Sequence, residues 1–208
     1  MEKTELTGKI LVICGPSGGG KSTLVTLIFK FFKSLFTFSV STTTRSPRKK
    51  DIAGTTYNFC DYNTFFEMVH KKFFLEWQMV YEGVFYGTSV EAINKTLESG
   101  ATPILDIDVK GAENLKQRYK DKVIVIFISL QKNVLETLRD RLVKRQDTSE
   151  ETIDERLKRA LFEIDLGEKI ADYVVYNNKE TTREGLWGQV RPILEKEFVL
   201  QVEQEAVT

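Results

Sequence analysis

Short hydrophobic runs rich in β-branched residues recur along the chain, and stretches with a helical pattern of apolar positions separate them. The runs that predict buried strands are Lys9–Cys14, Phe36–Val40, Pro103–Ile107, Val123–Ser129 and Tyr173–Tyr176. After the first strand, a helical pattern extends from Lys21 to about Ser34. Because strands that alternate with helices favour a parallel sheet, we expect an α/β fold with helices on both faces of that sheet.

Two regions interrupt this alternation. From Ser41 to Tyr86 the chain is rich in Thr, Phe, Tyr and charged residues, which predicts an insertion with its own small sheet and a short helix near Asn63–His70. From about Asn133 to Lys169 it is dense in Arg, Glu and Asp, which predicts a pair of helices with a turn at Gln146–Asp147.

Two of the predicted helices carry capping signals. Thr148 and Glu151 have the Thr-x-x-Glu spacing of a capping box, so the second helix of the charged pair is predicted to start there. Thr88 and Glu91 repeat this spacing before a helix that Gly100 is expected to end.

The composition indicates one folded domain with no net charge that would create a strong electrostatic field. Of its 208 residues, 41% are hydrophobic and 14 are Phe, which is enough for a core and excludes global disorder. Its 30 basic residues balance 30 acidic ones, so we expect neither nucleic acid nor an anionic membrane as a partner. Cys14 and Cys60 are too few for a disulfide framework or a zinc site, and His70 is expected at a solvated helix end.

No segment has the length and apolarity of a membrane span or the core of a signal peptide. The most apolar stretch, Leu24–Phe38, is interrupted by Lys30 and Lys33 and is shorter than the ~20 apolar residues that a bilayer requires. Met1–Gly8 carries charges and lacks an apolar core. We therefore expect a cytoplasmic protein.

The strongest chemical signal is a glycine-rich loop between the first strand and the first helix. It matches G-x-x-x-x-G-K-[ST] at every fixed position and consists of Gly15, Pro16, Ser17, Gly18, Gly19, Gly20, Lys21 and Ser22. In such loops the backbone N–H groups surround phosphate oxygens, the lysine reaches the β- and γ-phosphates, and the hydroxyl can bind Mg²⁺. An accidental glycine-rich turn is the alternative, but the strand–loop–helix context favours a nucleoside triphosphate site.

This loop does not decide the reaction, since GTPases, ATPases and small-molecule kinases share it. A GTPase has some support, because Asp108–Gly111 fits D-x-x-G and Asn178–Thr181 begins like the N-K-x-D that reads guanine. Thr181, however, replaces the Asp whose carboxylate would accept hydrogen bonds from N1–H and the amino group of guanine. A nucleotide kinase instead needs a second anion pocket and a lid, because two charged nucleotides must approach each other.

Further segments supply candidates for the second pocket. Arg45 and Arg48 flank a proline-stiffened turn in STTTRSPR, and guanidinium groups bind phosphate bidentately. The other segments are Gly54–Phe59 (GTTYNF), Glu76–Trp77 (EW), Tyr86–Thr88 (YGT) and Leu105–Asp108 (LDID). In this order, together with the phosphate loop, they resemble the guanylate kinase family from about Lys9 to Phe198, which is nearly the whole chain.

The resemblance implies a P-loop three-layer α/β/α fold with a five-stranded parallel core sheet, a GMP-binding α+β insertion and a helical lid. It implies a single domain over 1–208, with the core at about 1–38, 96–132 and 165–200, the insertion at about 39–95 and the lid at about 133–164. The implied reaction is ATP-dependent phosphorylation of GMP, and of dGMP, to GDP and dGDP in guanine nucleotide metabolism and recycling, with Mg²⁺ as cofactor. Monomer and homo-oligomer both stay open.

The GMP-binding residues implied by the resemblance are Ser41, Arg45, Arg48, Tyr57, Glu76, Tyr86, Thr88, Asp106 and Asp108. The two Arg and two Tyr side chains would hold the GMP phosphate, and Glu76 would accept from N1–H and the amino group of guanine. Ser41 and Thr88 would donate to O6. Asp108 would add a second acceptor and help to organise hydrated Mg²⁺, with Asp106 as a buried partner.

The implied ATP-binding residues are the loop from Gly15 to Ser22, then Thr23, Arg141 and Asn177. The implied catalytic residues are Lys21, Arg45, Arg145 and Arg156, and the implied Mg²⁺ ligands are Ser22 and Asp108, partly through water. Taken singly, the lid arginines also fit solvated helix faces, and Glu76 also fits a surface acid. A non-catalytic module with this fold ranks last, because the chain keeps the phosphate loop and the lid arginines.

Two departures from the family pattern concern the lid and the nucleotide donor. Lys144 and Gln146 stand where the family has glycine on each side of the lid arginine, so the hinge is expected to be stiffer or to lie elsewhere. Asn178–Lys179 replaces an acidic pair, which leaves the donor preference open.

Overall fold

The computed structural model describes residues 6–48, 51–145 and 152–199. Its strands are β1 (Ile10–Cys14), β2 (Phe36–Phe38), β3 (Thr42–Thr43), β4 (Asn58–Phe59), β5 (Phe74–Tyr81), β6 (Val84–Ser89), β7 (Thr102–Asp106), β8 (Val123–Ser129) and β9 (Tyr173–Tyr176). Its α-helices are α1 (Lys21–Phe32), α2 (Tyr62–His70), α3 (Val90–Glu98), α4 (Val109–Tyr119), α5 (Val134–Arg145), α6 (Ile153–Ile170) and α7 (Arg183–Leu194). A 3-10 turn at Lys120–Lys122 follows α4, and a π-helical turn at Glu195–Val199 follows α7.

The larger sheet has five strands in the order β2-β7-β1-β8-β9, and every neighbouring pair is parallel. These are the five strands predicted from the hydrophobic runs, with β2 ending at Phe38 instead of Val40. The five-stranded parallel core is therefore confirmed.

Side chains of β1 alternate between the two faces of this sheet, as expected for a central strand buried on both sides. Ile10, Val12 and Cys14 pack with residues of α3 and α4 and with the apolar side of α6. Leu11 and Ile13 pack with residues of α1 and α7. Helices thus cover both faces, which confirms the three-layer arrangement.

The chain between β2 and α3 forms a second sheet in the order β4-β3-β6-β5. Only β3 and β4 run parallel in it, whereas β6 is antiparallel to both β3 and β5. Its small core consists of Phe65 of α2, Phe74 and Phe85. This is the separate small sheet expected for the insertion, and α2 is its predicted short helix, with His70 exposed at the end.

The predicted cap of α3 is wrong, and the described start of α6 differs from the predicted one. The cap of α6 is Thr152, which exchanges hydrogen bonds with Glu155 in a capping box, so the helix begins at Ile153. The segment contains two Thr-x-x-Glu patterns four residues apart, and the first of them, at Thr148, lies outside the described residues, as does the predicted turn at Gln146–Asp147. The cap of α3 is Ser89, whose hydroxyl accepts from the Ala92 N–H at 3.3 Å.

The packing of α6 onto the sheet depends on one glycine. A Cβ atom on Gly167 would come within 2.0 Å of Cε2 of Phe127, a residue of β8 with no exposed surface. Gly167→Ala is therefore expected to lower the free energy of unfolding by about 3 kcal/mol, at the upper end of the usual cost of an overpacked core.

A matched control for this prediction is Gly188→Ala in α7, because the added Cβ meets nothing within 4 Å apart from its chain neighbours and the backbone of its own helix. Alanine favours a helix over glycine by about 1 kcal/mol, so this variant is expected to be at least as stable as the wild type. Denaturant unfolding measures both, and a Gly167→Ala variant with wild-type stability would contradict the packing described here.

Cys14 is fully buried in the core, as its sequence context predicts. None of the helices within the described ranges is long and apolar enough to cross a membrane.

Candidate active site

A cavity of about 480 Å³ lies where the carboxyl ends of β1 and β7 meet the second sheet, α5 and α6. This volume is within the usual range for small-molecule sites. The predicted site residues that line it are Gly15, Ser17, Gly18, Gly20, Lys21, Ser22, Thr23, Ser41, Arg48, Tyr57, Tyr86, Asp106, Asp108, Arg141 and Arg156. The phosphate loop and the second sheet therefore share one cavity.

Of the predicted residues whose side chains the structure describes, six are outside this lining: Pro16, Gly19, Arg45, Glu76, Thr88 and Asn177. Arg145 is the last residue of α5, and its side chain lies outside the described part of the structure. Its predicted role stays a prediction.

The glycines of the phosphate loop are required by backbone shape and by close contacts. Gly20 has a φ of 110°, and a Cβ atom there would lie 2.2 Å from Nδ2 of Asn177. At Gly15 a Cβ atom would lie 2.6 Å from the carbonyl oxygen of Ile128 in β8. A larger residue at Gly15 would push the loop away from β8, and one at Gly20 would strain the backbone and displace the Asn177 amide.

The loop leads directly into α1, whose first residues are Lys21 and Ser22. The first N–H groups of a helix have no partner within the helix, and together with the helix dipole they attract an anion. Gly20 precedes the helix without a capping side chain. The Lys21 ammonium donates to the carbonyl oxygen of Gly15 at 2.8 Å, which holds its charge at the loop.

Two predicted ATP-binding residues brace the loop from outside. The Asn177 side-chain amide donates to the carbonyl oxygen of Gly19 at 2.7 Å. The Arg141 guanidinium donates to the carbonyl oxygens of Gly18 at 3.3 Å, Asn177 at 2.9 Å and Asn178 at 3.0 Å. Both residues thus join the loop to the chain that follows β9, in addition to any contact with a nucleotide.

The residues that depart from the family pattern after β9 contact α5 and the chain that leads into it. Lys179 pairs with Glu136 at 3.3 Å and Asp140 at 3.0 Å, both on α5. The Asn178 side-chain oxygen accepts from the Gln131 N–H at 2.9 Å. These contacts give the Asn-Lys pair a structural role that needs no guanine base, which removes one argument for a GTPase.

Arg45 and Arg48 are joined by an acid that the sequence did not single out. The Arg45 guanidinium donates to the Asp51 carboxylate at 2.8 Å, and the same Asp51 oxygen accepts from the Arg48 N–H at 2.7 Å. Arg45 is nearly buried, with its guanidinium 5.1 Å from the ring centre of Tyr57. Asp51 therefore fixes the turn that carries both arginines.

Glu76 and Thr88 lie opposite each other on the antiparallel strands β5 and β6. The Thr88 hydroxyl, which is fully buried, donates to Oε1 of Glu76 at 2.7 Å. The other carboxyl oxygen lies 2.8 Å from where a Cβ atom on Gly111 would stand. Only a glycine at the start of α4 allows the carboxyl group this position.

Asp108 is the N-cap of α4, where its Oδ1 accepts from the N–H groups of Lys110 at 2.8 Å and Gly111 at 3.0 Å. Both fixed residues of the D-x-x-G pattern thus have a structural explanation. Asp108 caps α4, and Gly111 leaves room for the carboxyl group of Glu76. Burial raises the pKa of Glu76 to about 8, with the Thr88 hydrogen bond acting against it and the charge of Asp108 adding to it. Burial also raises the pKa of Asp108.

Arg156 of α6, which was predicted as a lid arginine, lines the cavity and is nearly buried. Five cavity residues were missed by the sequence analysis: Val80, Tyr81, Ile107, Arg159 and Glu163. Arg159 follows Arg156 by three residues and precedes Glu163 by four, so all three share one face of α6. That spacing was visible in the sequence, but it is equally typical of a solvated helix.

Magnesium fits the oxygen groups in this cavity. The Ser22 hydroxyl and the carboxylates of Asp106 and Asp108 line it, and oxygen ligands suit this hard cation. Within the described ranges no cluster of three His, Cys, Asp or Glu residues is arranged to hold a metal on its own. The residues therefore suit Mg²⁺ carried by substrate phosphates and water, which is its usual mode of binding in proteins.

Known proteins of one family resemble this chain in sequence and in fold. The family model for guanylate kinase matches residues 7–190. A guanylate kinase of Wolinella succinogenes is 37% identical over 203 residues, which cover 98% of this chain and 92% of the relative. A guanylate kinase of Chlorobium chlorochromatii is 36% identical over 174 residues, or 84% of this chain and 90% of the relative. The crystal structure of guanylate kinase from Anaplasma phagocytophilum aligns with a TM-score of 0.71 at 29% identity, over 92% of this chain and 86% of that one.

Proposed function

The chain belongs to the guanylate kinase family, whose members phosphorylate GMP with ATP, and we propose that it does so in the cavity between the phosphate loop and the second sheet. The composition of the cavity lining carries the proposal. Lys21 and Ser22 come from the loop, whereas Arg48, Tyr57 and Tyr86 come from the second sheet. Two groups suited to phosphate thus meet in one space, as transfer between two nucleotides requires.

The second sheet is assigned to GMP. Arg45, Arg48, Tyr57 and Tyr86 would hold the phosphate, and the turn fixed by Asp51 supports that role because it joins both arginines. Glu76 and Asp108 would accept from the guanine base, while Ser41 and Thr88 would donate to it. A site built of buried polar groups discriminates strongly, since the wrong base leaves them unpaired.

The phosphate loop and the lid are assigned to ATP·Mg²⁺. Residues Gly15–Thr23 would surround the phosphates, Arg141 would contact ATP from the lid, and Asn177 would lie on the adenine side. Ser22 and Asp108 would hold Mg²⁺, Asp108 partly through water. When bound, the ion offsets charge on the β- and γ-phosphate oxygens.

In this site the GMP phosphate oxygen would attack the γ-phosphorus in line, while the bond from the γ-phosphorus to the β,γ-bridging oxygen breaks and ADP leaves. A phosphate monoester is largely ionised near neutral pH, so the protein needs no general base and the exposed His70 has no part. Lys21, Arg45, Arg145 and Arg156 would offset the charge on the transferred group. Closure over both nucleotides would exclude water and so prevent hydrolysis of ATP.

Three finer assignments complete the proposal. dGMP is expected to serve as a weaker second acceptor, and the reaction would serve guanine nucleotide metabolism and recycling in the cytoplasm. The core would comprise about 1–38, 96–132 and 165–200, with a GMP-binding insertion at about 39–95 and a lid at about 133–164. The second sheet, which lies wholly within the insertion, supports this division.

The test is ADP formation from ATP·Mg²⁺ with GMP, dGMP, AMP, UMP, CMP or no acceptor. ADP that appears with GMP, and more slowly with dGMP, is the expected result. ADP formation that depends on AMP or UMP would still mean a nucleotide kinase, but it would refute the roles of Glu76 and Asp108. ADP formation that is independent of any acceptor would refute the transfer altogether.

GMP binding is also expected to depend on pH through Glu76. The pKa of its carboxyl group is raised to about 8 by burial, so near neutral pH the free protein holds the proton. Because guanine N1–H and its amino group need an acceptor, GMP binding must release that proton. Affinity should therefore increase by up to about tenfold per pH unit as pH rises toward 8, and level off above it.

Calorimetric titration with GMP above about pH 6.5, where the phosphate itself is mostly ionised, measures this dependence. Titrations in two buffers of different ionisation enthalpy would count the released proton. Glu76→Gln is the control, because it has no proton to release and its residual binding should not vary with pH in this range. A flat affinity profile for the wild type would refute the proton release.

A further inference from the structure

Arg159 is a half-buried cation of the cavity that belongs to neither of the predicted substrate-binding sets. It lies on α6, where its Nε donates to Oε1 of Glu163 at 3.1 Å. Its Nη1 donates to the carbonyl oxygen of Val80 at 3.1 Å. Val80 is 79 residues away in the chain and belongs to β5 of the second sheet, so this side chain spans two parts of the fold.

The acceptor on β5 is made available by an irregularity in the strand. Met79 pairs with Phe85 and Tyr81 with Val84, so two steps on β5 correspond to one step on β6. Val80 is the extra residue of this β-bulge, and a bulged residue is left out of the ladder. Its carbonyl oxygen is thereby open to Arg159 at the point where β5 borders the cavity.

The helix that carries the donor is anchored in the core by its C-terminal part. Ile164 and Leu166 of α6 pack in the core cluster beneath the sheet, and Gly167 lies against Phe127. Glu163, the ion-pair partner, is nearly buried and also lines the cavity. An arginine held by such a partner is better ordered than one paired on the surface.

We propose that Arg159 is a positioning residue for GMP, which joins α6 to the bulge of β5 and so holds the second sheet in its GMP-binding position. Glu76, Tyr86 and Thr88 are all on β5 and β6, so they move with this sheet. Without the link, a smaller fraction of the protein has them in place, and apparent affinity falls by that fraction. This inference rests on the proposed GMP site.

The experiment compares Arg159→Gln with Arg191→Gln. Arg191 is a matched control because it also pairs with a glutamate four residues later, Glu195 at 2.7 Å, but on the exposed side of α7. For Arg159→Gln we expect the GMP dissociation constant, measured without ATP, and KM for GMP to rise by about tenfold, the equivalent of ~1.4 kcal/mol. The value of kcat at saturation, KM for ATP and Tm should stay near those of the wild type, and Arg191→Gln should change none of them.

Arg159→Lys provides the second arm. A lysine keeps the charge but replaces a fork with a single nitrogen, so it should recover only part of the GMP affinity. If Arg159→Gln does not fold, Arg159→Lys alone tests the proposal. Wild-type GMP affinity in Arg159→Lys would then overturn it.

Three other results would overturn it as well. A fall in kcat with unchanged GMP affinity would mean direct contact with the transferred phosphoryl group. Equal weakening of GMP and ATP binding with a lower Tm would mean a merely structural role. Wild-type binding and kinetic constants in Arg159→Gln would mean that Arg159 has no role in GMP binding. Wild-type ADP formation with GMP is measured first, so that failure of the proposed function is separated from failure of this inference alone.

Discussion

Lys21→Ala is expected to lower kcat by about a hundredfold to a thousandfold, the range seen when a preorganised charge-stabilising donor is removed from an active site. The Lys21 ammonium is held at the phosphate loop by the carbonyl oxygen of Gly15 at 2.8 Å. From there the positive charge of Lys21 would offset the negative charge on the transferred phosphoryl group, and alanine has no charge that could replace it. GMP, whose assigned site is on the second sheet, should bind Lys21→Ala nearly as well as the wild type.

Lys30→Ala is the matched control, because Lys30 is an exposed lysine on the same helix α1. It removes the same charge from the chain without touching the loop, so kcat should stay near that of the wild type. Steady-state rates of both variants, with calorimetric GMP binding, make the comparison. Wild-type turnover in Lys21→Ala would refute the role given to this residue.

The parts of the molecule that could be predicted from the sequence are those that local pattern determines. The β1 run is apolar at every position because both of its faces are buried, and the phosphate loop has its glycines where the backbone needs them. Ser22 and Thr23 lie in the first turn of α1, directly after the loop, as the motif predicts. These features need no knowledge of distant contacts.

Capping residues show where local pattern is ambiguous. Thr88 and Glu91 fit the capping spacing, but the Thr88 hydroxyl donates to Glu76 across the β5–β6 pair, and the next residue, Ser89, caps α3. A tertiary hydrogen bond to a buried carboxyl group took precedence over a local one. At α6 two patterns compete four residues apart, and Thr152 is the cap.

Arg159, Glu163 and Asp51 could not be predicted because their roles depend on which surfaces meet. The acceptor of Arg159 exists only because β5 has a bulge at Val80, and no local signal marks that bulge. Likewise, Asn177 was expected to bind ATP, and its amide also donates to the carbonyl oxygen of Gly19 in the phosphate loop. Such contacts follow from the register of strands and the rotation of helices, which a single sequence does not determine.

Glu76→Gln is expected to lower kcat/KM for GMP by about a thousandfold or more while the protein stays folded. The substitution keeps the shape of the side chain, and a neutral amide suits a position where burial already disfavours charge. It cannot, however, accept from both N1–H and the amino group of guanine, because one of its two polar atoms is a donor. Leaving buried groups unpaired in this way is what produces strong discrimination between substrates.

The control for this prediction is Glu82→Gln, at the exposed turn of the same β5–β6 hairpin, which should retain wild-type kcat/KM. Activity with AMP should stay low in Glu76→Gln, since the amide does not create an adenine site by itself. The initial rates with GMP and AMP, together with Tm, distinguish a lost contact from a lost fold. If Glu76→Gln used GMP as well as the wild type does, guanine would have to be recognised elsewhere, with Asp108, the other carboxylate assigned to the base and a lining residue of the cavity, as the first candidate.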